Sequence, residues 1–202
     1  QIEAEGRQAR PDEQEILSRY VGWGGIPQAF DEENTQWSEE YRQLKELLTE
    51  KEYDAARSST LNAHYTSPTV IRAMYDAIEK MGFRTGNVLE PSCGVGNFFG
   101  MLPDDMSGSR LYGVELDSIT GRIARQLYPD ARITISGFEK TQRRDFFDLA
   151  IGNVPFGGYK VSDKQFDKYN FLIHDYFFAK TLEQVRPGGV IAYITSKGTM
   201  DK

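Results

Sequence analysis

Cysteine is nearly absent from this 202-residue chain, with Cys93 the only one. One thiol excludes an intramolecular disulfide. With only two histidines, His64 and His174, there is no donor set for a structural zinc site either. No metal is therefore expected, and an unpaired thiol suits a reducing cytoplasm. No basic neighbour in sequence activates Cys93, which reads as a small residue in a tight loop. Also missing is any apolar run near the roughly 18 residues that a membrane helix requires, so no membrane partner is expected. The N-terminus, Gln1-Ile2-Glu3-Ala4-Glu5-Gly6, is polar and acidic and lacks the apolar core of a signal peptide. It has no initiator Met, which points to a piece of a longer protein. Positive charge is scarce: 24 Lys and Arg stand against 30 Asp and Glu, for a net charge of −6. Free-standing nucleic-acid-binding domains are usually basic, because phosphate contacts supply most of their affinity. That balance argues against a simple DNA-gripping module, but it leaves open a catalytic core whose grip on DNA lies elsewhere.

Hydrophobic residues make up 39% of the chain, enough for one α/β domain with an appended segment. Two regions differ in pattern. Residues 1–60 are charged, helical in periodicity and poor in β-branched side chains. A helix is predicted from Pro11 to Tyr20, stopped by Gly22-Trp23-Gly24-Gly25. A second helical stretch starts at Ser38, read as its N-cap, and runs through Tyr41, Leu44, Leu47 and Leu48. Trp23 and Trp37 are expected to pack these helices onto the core. In residues 61–202, strand-like runs alternate with helices. The strands are predicted at Asn87–Glu90, Arg110–Glu115, Ala131–Ile135, Phe147–Gly152 and Val190–Thr195. The helices are predicted at Pro68–Met81, Asn97–Leu102, Ser118–Leu127 and Phe171–Val185. Such alternation predicts a mostly parallel sheet with helices on both faces, and ligands beyond the strands' C-terminal ends.

Three motifs fall at those ends. Val88-Leu89-Glu90-Pro91-Ser92-Cys93-Gly94-Val95-Gly96-Asn97 reads as strand, tight turn and helix, with Gly94 and Gly96 letting the backbone approach a ligand. A dinucleotide fingerprint would place a third glycine where Phe99 stands. The Glu90 carboxylate would also repel a pyrophosphate and suit a cationic ligand. Glu115 ends the next strand about twenty residues on, the spacing of an acid that chelates ribose hydroxyls. Asp117 reads instead as the N-cap of the following helix.

The third motif is Asn153-Val154-Pro155-Phe156, which closes the apolar run Asp148–Gly152. An exocyclic amine on a nucleobase is a poor nucleophile, because its lone pair is delocalised into the ring. An Asn carbonyl and a backbone carbonyl beside proline can accept both amine hydrogens and turn the lone pair toward an electrophile. The Phe156 ring can stack on a base that has left the duplex.

These motifs together resemble those of the adenine-N6 DNA methyltransferases in which the cofactor loop precedes an Asn/Asp-Pro-Pro-aromatic motif. A closer resemblance is to the methylase domain of the methylase–helicase proteins of conjugative elements. It rests on Tyr20-Val21-Gly22-Trp23-Gly24-Gly25 followed by Leu61-Asn62-Ala63-His64-Tyr65-Thr66. The resemblance implies a Rossmann-like fold dependent on S-adenosylmethionine, in a bacterial cytoplasm, with DNA as partner and a helicase domain in the same parent chain. It implies Asn153, Pro155 and Phe156 as catalytic residues. The cofactor would be held by Tyr65 and Thr66, by Glu90, Pro91, Ser92, Gly94, Gly96 and Asn97, and by Glu115, Phe138 and Asn153.

The chain departs from that family in three ways. Val154 replaces the middle proline, leaving the backbone carbonyl in place. Gly137 stands before Phe138 where the family often has an acid for the cofactor's adenine amine. The chain also ends just after the fifth predicted strand, so the last strands and any target-recognition domain are expected to be missing, leaving a sheet edge at Val190–Thr195.

Two alternatives stay open at this level. One is a methyltransferase-like module that has lost catalysis, which Gly137 and the acidic charge would support. The other is an amino-methyltransferase acting on rRNA or on protein glutamine. Among the remaining residues, His174 beside Asp175 reads as an N-cap or surface pair. Tyr176, Phe177 and Phe178 read as core, with a base pocket as the alternative. Lys160, Lys164 and Lys168 read as a solvated loop or as phosphate contacts.

Overall fold

Strand patterns of the kind just described become a five-stranded, all-parallel sheet in the computed structural model, which describes residues 1–60 and 65–199. The strands are β1 (Asn87–Glu90), β2 (Arg110–Glu115), β3 (Arg132–Ile135), β4 (Phe147–Asn153) and β5 (Val185–Ile194), in the spatial order β3-β2-β1-β4-β5. The order reverses between β1 and β4, and a crevice opens at that reversal beyond the strand tips.

Both faces of the sheet are covered, so its strands are apolar nearly throughout and alternate between two cores. On one face, Val88, Leu149 and Ile151 pack against Ile71, Tyr75 and Ile78 of α4 (Pro68–Lys80). Those helix residues recur every three or four positions, as a single buried stripe requires. Pro68 opens α4, and the Ser67 hydroxyl caps the Val70 N–H. On the other face, Leu89, Tyr112, Val114 and Ala150 pack against Ile173, Tyr176 and Phe177 of α7 (Ile173–Gln184). The short α5 (Asn97–Gly100) follows β1, and α6 (Ser118–Leu127) follows β2, its start capped by Asp117. The fully buried Leu149 offers a stability test. Leu149→Ala is expected to cost about 2–5 kcal/mol in denaturant unfolding, and a cost below about 1 kcal/mol would place that core elsewhere.

Residues 1–60 carry α1 (Pro11–Ser18), α2 (Ser38–Leu47) and α3 (Glu50–Ser59). Trp23 and Trp37 do not pack on the sheet as expected. They flank a separate small core of Ala29, Phe30, Tyr53 and Ala56, where Trp23 meets Phe30 edge-on. Arg122 of α6 ties this segment to the sheet domain through ion pairs with Glu3 and with Glu52, the latter at 2.6 Å. Ser38 is the first helical residue rather than the cap. A short 3₁₀ turn at Thr35–Trp37, capped by Asn34, runs directly into α2.

The element absent from the sequence reading, α3, announces itself only in its cap. Thr49 and Glu52 form a reciprocal capping box. β5 begins five residues earlier than predicted, because Pro187-Gly188-Gly189 bulges within the strand instead of preceding it. His174 is not a surface residue or a cap. It is 4% exposed within α7, whose cap is Leu172, and neither ring nitrogen has a hydrogen-bond partner among the described residues. Phe178 packs on Tyr193.

Candidate active site

The tips of β1, β2 and β4 open onto one cavity of about 690 Å³, within the range of small-molecule sites. Glu90 at the end of β1 is 2% exposed, and its Oε2 has no hydrogen-bond partner among the described residues. Burial, reinforced by the charge of Glu115, pushes its carboxyl well above the usual range. An unpartnered buried carboxylate of this kind is stabilised by a cationic ligand.

The turn after β1 is held by Cys93 N–H donating to Val114 O at 2.9 Å and Gly96 N–H to Cys93 O at 2.8 Å. Gly94 has φ 55° and Gly96 has φ 88°, both in the left-handed region that disfavours a side chain. A Cβ on Gly94 would meet only open space, whereas one on Gly96 would lie 2.6 Å from the Tyr128 ring. Gly94 therefore lines the cavity, while Gly96 shapes the turn from behind and does not itself line it. Pro91, Ser92 and Asn97 complete the rim on this side.

Glu115 at the tip of β2 accepts the Gly94 N–H through Oε2 and the Asp117 N–H through Oε1, each at 2.8 Å. One carboxylate thus fixes the glycine turn to the neighbouring strand and still faces the cavity. Burial outweighs those two hydrogen bonds and pushes its pKa up from 4.5 to about 7. A carboxyl whose folded pKa is raised holds its proton longer in the native state. Its contribution favours folding at low pH and is lost as pH rises from about 4.5 through about 7. Ribose hydroxyls donating to this carboxylate would favour the ionised form. S-adenosylhomocysteine, which carries those hydroxyls, is therefore expected to release protons on binding near pH 6. Calorimetry in two buffers of different ionisation heat reads this directly, and proton uptake would contradict it.

Asp117 caps α6, with Oδ1 accepting the Ile119 N–H at 3.0 Å. Tyr65 and Thr66 line the cavity beside it. Burial and then the negative Glu115 and Asp117 push the Tyr65 hydroxyl up to about 12. Leu61 to His64 lie outside the described residues, so the upstream half of that motif is not placed. Phe138 stands beyond β3, stacked on Phe177 with centroids 4.9 Å apart and an interplanar angle of 29°.

β4 brings the third motif. Gly152 lets its tip approach β1, since a Cβ there would sit 3.2 Å from Glu90 Cγ at a φ of 156°. The next residue, Asn153, lines the cavity, and so do Pro155 and Phe156. Val154 is 1% exposed, and its N–H donates to Ile194 O at 3.1 Å. Core packing and β5 therefore fix this backbone without the middle proline of the family motif.

The cavity also takes in residues that sequence reasoning missed. Lys51, Asp54 and Ser58 of α3 form part of its wall, and Glu139 and Tyr159 line it elsewhere, whereas Tyr176 and Phe177, for which the sequence left a pocket open as the alternative to core, line it too. Thr49-Glu50-Lys51-Glu52 was a legible capping signal for α3. Tyr176 and Phe177 carry helical spacing, which does not separate core from pocket wall. Glu139 is the notable case. The point where a Cβ on Gly137 would stand is 2.1 Å from the Glu139 carboxylate, so that carboxylate already fills the space beside Gly137.

No established family profile matches the chain. It is 32% identical over 141 residues to Defense against restriction protein B of Escherichia phage P1, covering 67% of this chain and 6% of that protein. It is 35% identical over 79 residues to type II methyltransferase M.CvrRI of Paramecium bursaria Chlorella virus XZ-6E, covering 39% and 21% respectively. A solved structure described as a class I S-adenosylmethionine-dependent methyltransferase from Listeria monocytogenes matches with a TM-score of 0.57 at 16% identity, covering 92% of this chain and 68% of that one. The chain has the class I S-adenosylmethionine-dependent methyltransferase fold. The relatives it resembles in sequence are a phage protein named for defence against restriction and a viral protein named as a type II methyltransferase. The chain spans only a small part of either relative's length. No helix among its described residues is long and apolar enough to cross a membrane.

Proposed function

We propose that the chain is the catalytic core of a DNA methyltransferase that acts on the exocyclic N6 amine of adenine. The observation that carries this reading is the placement of Asn153. It lines the same cavity as Glu90, Gly94 and Glu115, on the adjacent strand tip, with Pro155 and Phe156 beside it.

When bound, S-adenosylmethionine supplies an electrophilic methyl group on a sulfonium. The chain's own residues bind and orient. Glu90 and the Gly94 backbone face the cationic methionine end, with Tyr65 and Thr66 alongside. Glu115 accepts the ribose hydroxyls. Phe138 and Phe177 wall the cofactor's base. Asn153 Oδ1 and a backbone carbonyl at Val154 or Pro155 accept the two amine hydrogens of the target, while Phe156 stacks on its ring. That arrangement localises the nitrogen lone pair, so no strong base is needed before attack, and the proton leaves afterwards to solvent. The names of the relatives, which speak of restriction and of a type II methyltransferase, support DNA as substrate. The motif resemblance extends the reading to a helicase domain in the same polypeptide and to a core spanning residues 61–202 with residues 1–60 appended.

Glu139 is proposed to serve where Gly137 leaves no acid, as acceptor for the cofactor's adenine amine. Calorimetry with S-adenosylhomocysteine tests this by exchange. Glu139→Gln is expected to weaken binding several-fold, and Gly137→Asp to weaken it too, because the new side chain meets the Glu139 carboxylate. Gly137→Asp with Glu139→Gly is expected to restore binding. If Glu139→Gln binds as the unaltered chain does, Glu139 has no such role.

A further inference from the structure

The segment from Tyr159 to Phe171 leaves the cavity and returns to it. Tyr159 and Val161 line the cavity, and the Ile173 N–H donates to Tyr159 O at 2.9 Å, closing the segment at its base. Its polar side chains divide into two sets. Asp163 is turned inward, accepting from the buried Lys180 Nζ and from Tyr176 Oη, each at 2.8 Å. Asp167 accepts the Asp163 N–H at 2.8 Å and is the segment's one acid at the surface. Lys160, Lys164 and Lys168 are exposed. Positive charge therefore predominates on this outer surface of a chain whose net charge is −6.

The same surface carries an aromatic pair. Tyr169, 56% exposed, stacks on Phe171 with centroids 5.3 Å apart and planes 22° from parallel. Lys168 Nζ lies 4.8 Å from the Tyr169 ring centre. Between the two rings, Asn170 adopts φ 56°, and its Oδ1 accepts from Lys160 Nζ at 2.5 Å. The turn is thus fixed by its own side chains, with the Tyr169 ring backed by Phe171, met by the mobile end of Lys168 and still more than half exposed. An exposed ring flanked by lysines is the arrangement that stacks an unpaired base while its phosphates are neutralised.

We infer that this segment is a platform for the nucleotides flanking the extruded target base, with Tyr169 stacking a neighbouring base and Lys160, Lys164 and Lys168 holding the adjoining phosphates. The inference rests on the proposed DNA substrate and adds where the opened strand lies. It also offers the acidic chain a local source of affinity.

Fluorescence anisotropy with a labelled single-stranded oligodeoxynucleotide, the matching duplex and an RNA of the same sequence, over a range of salt, tests it. Tyr169→Ala is expected to lower single-strand affinity roughly tenfold without changing the salt slope, and Tyr169→Phe to restore it. Lys164→Gln with Lys168→Gln is expected to reduce the slope by about 1.4. Calorimetry with S-adenosylhomocysteine on the same variants is expected to match the unaltered chain, which separates a lost contact from a lost fold. Variants indistinguishable from a DNA-binding unaltered chain would overturn the platform alone. An unaltered chain that binds no DNA even at low salt would overturn the platform and the DNA reading together. Tighter binding of the RNA would reassign the ligand and overturn the inference as stated.

Discussion

Replacing Asn153 by alanine is expected to cut methyl transfer by roughly 10²–10³-fold while weakening cofactor binding far less. The side chain stands at the end of β4 and lines the cavity together with Glu90 and Glu115. Its carbonyl is asked to hold an amine hydrogen most firmly when the nitrogen begins to bond the methyl carbon. Loss of one preorganised polar group in such a role lowers turnover by roughly 10²–10³-fold, about 2.7–4 kcal/mol of transition-state stabilisation. Asn153→Asp keeps an acceptor and is expected to fall less far. Equal loss of S-adenosylhomocysteine binding and of transfer in Asn153→Ala would point to collapse of the strand tip instead. Undiminished transfer would remove the residue from the chemistry.

The second large effect is expected at Glu115. Its carboxylate joins three things: the Gly94 N–H, the Asp117 N–H and the open cavity. Glu115→Ala removes two charge-assisted hydrogen bonds to backbone and both acceptors offered to a ribose. Each bond to a charged group contributes on the order of 1.5–3 kcal/mol, so S-adenosylhomocysteine affinity is expected to fall by at least about 100-fold. The fold should survive, because Asp117 still caps α6 and the sheet is unaltered. Glu115→Gln retains one acceptor and should bind between the two. Affinity within about threefold of the unaltered chain would show that the ribose is held elsewhere.

Much of the sheet was legible because its strands end in recognisable chemistry. β1 and β2 run from apolar residues to a terminal acid, and α6 begins at an Asp, so their bounds could be read from residue types alone. β5 was read short because Pro187-Gly188-Gly189 looks like a turn, and only pairing with β4 makes it strand. The N-terminal tryptophans were misplaced for a related reason. Amphipathic helices show that an apolar face is buried but not against what, and here the partner is Phe30 and Tyr53 rather than the sheet.

The site divides in the same way. Glu90, Glu115 and Asn153 were legible because each sits at a strand end with few conformational choices. Glu139 was not, because its relevance depends on a side chain folding back over Gly137. Nor was the α3 wall, because Lys51, Asp54 and Ser58 are ordinary helix-surface residues until the tertiary fold turns them toward the cavity. His174 remains without a physical account: it is buried, and its nitrogens find no hydrogen-bond partner among the described residues.

The most direct measurement is product analysis. Mixed-sequence DNA would be incubated with the protein and S-adenosylmethionine carrying an isotopic label on its methyl group, then digested to nucleosides and separated. The account predicts label in N6-methyldeoxyadenosine, reduced roughly 10²–10³-fold when Asn153 is alanine. Label on a ring carbon or in a cytosine nucleoside, or transfer undiminished without the Asn153 carboxamide, would contradict it.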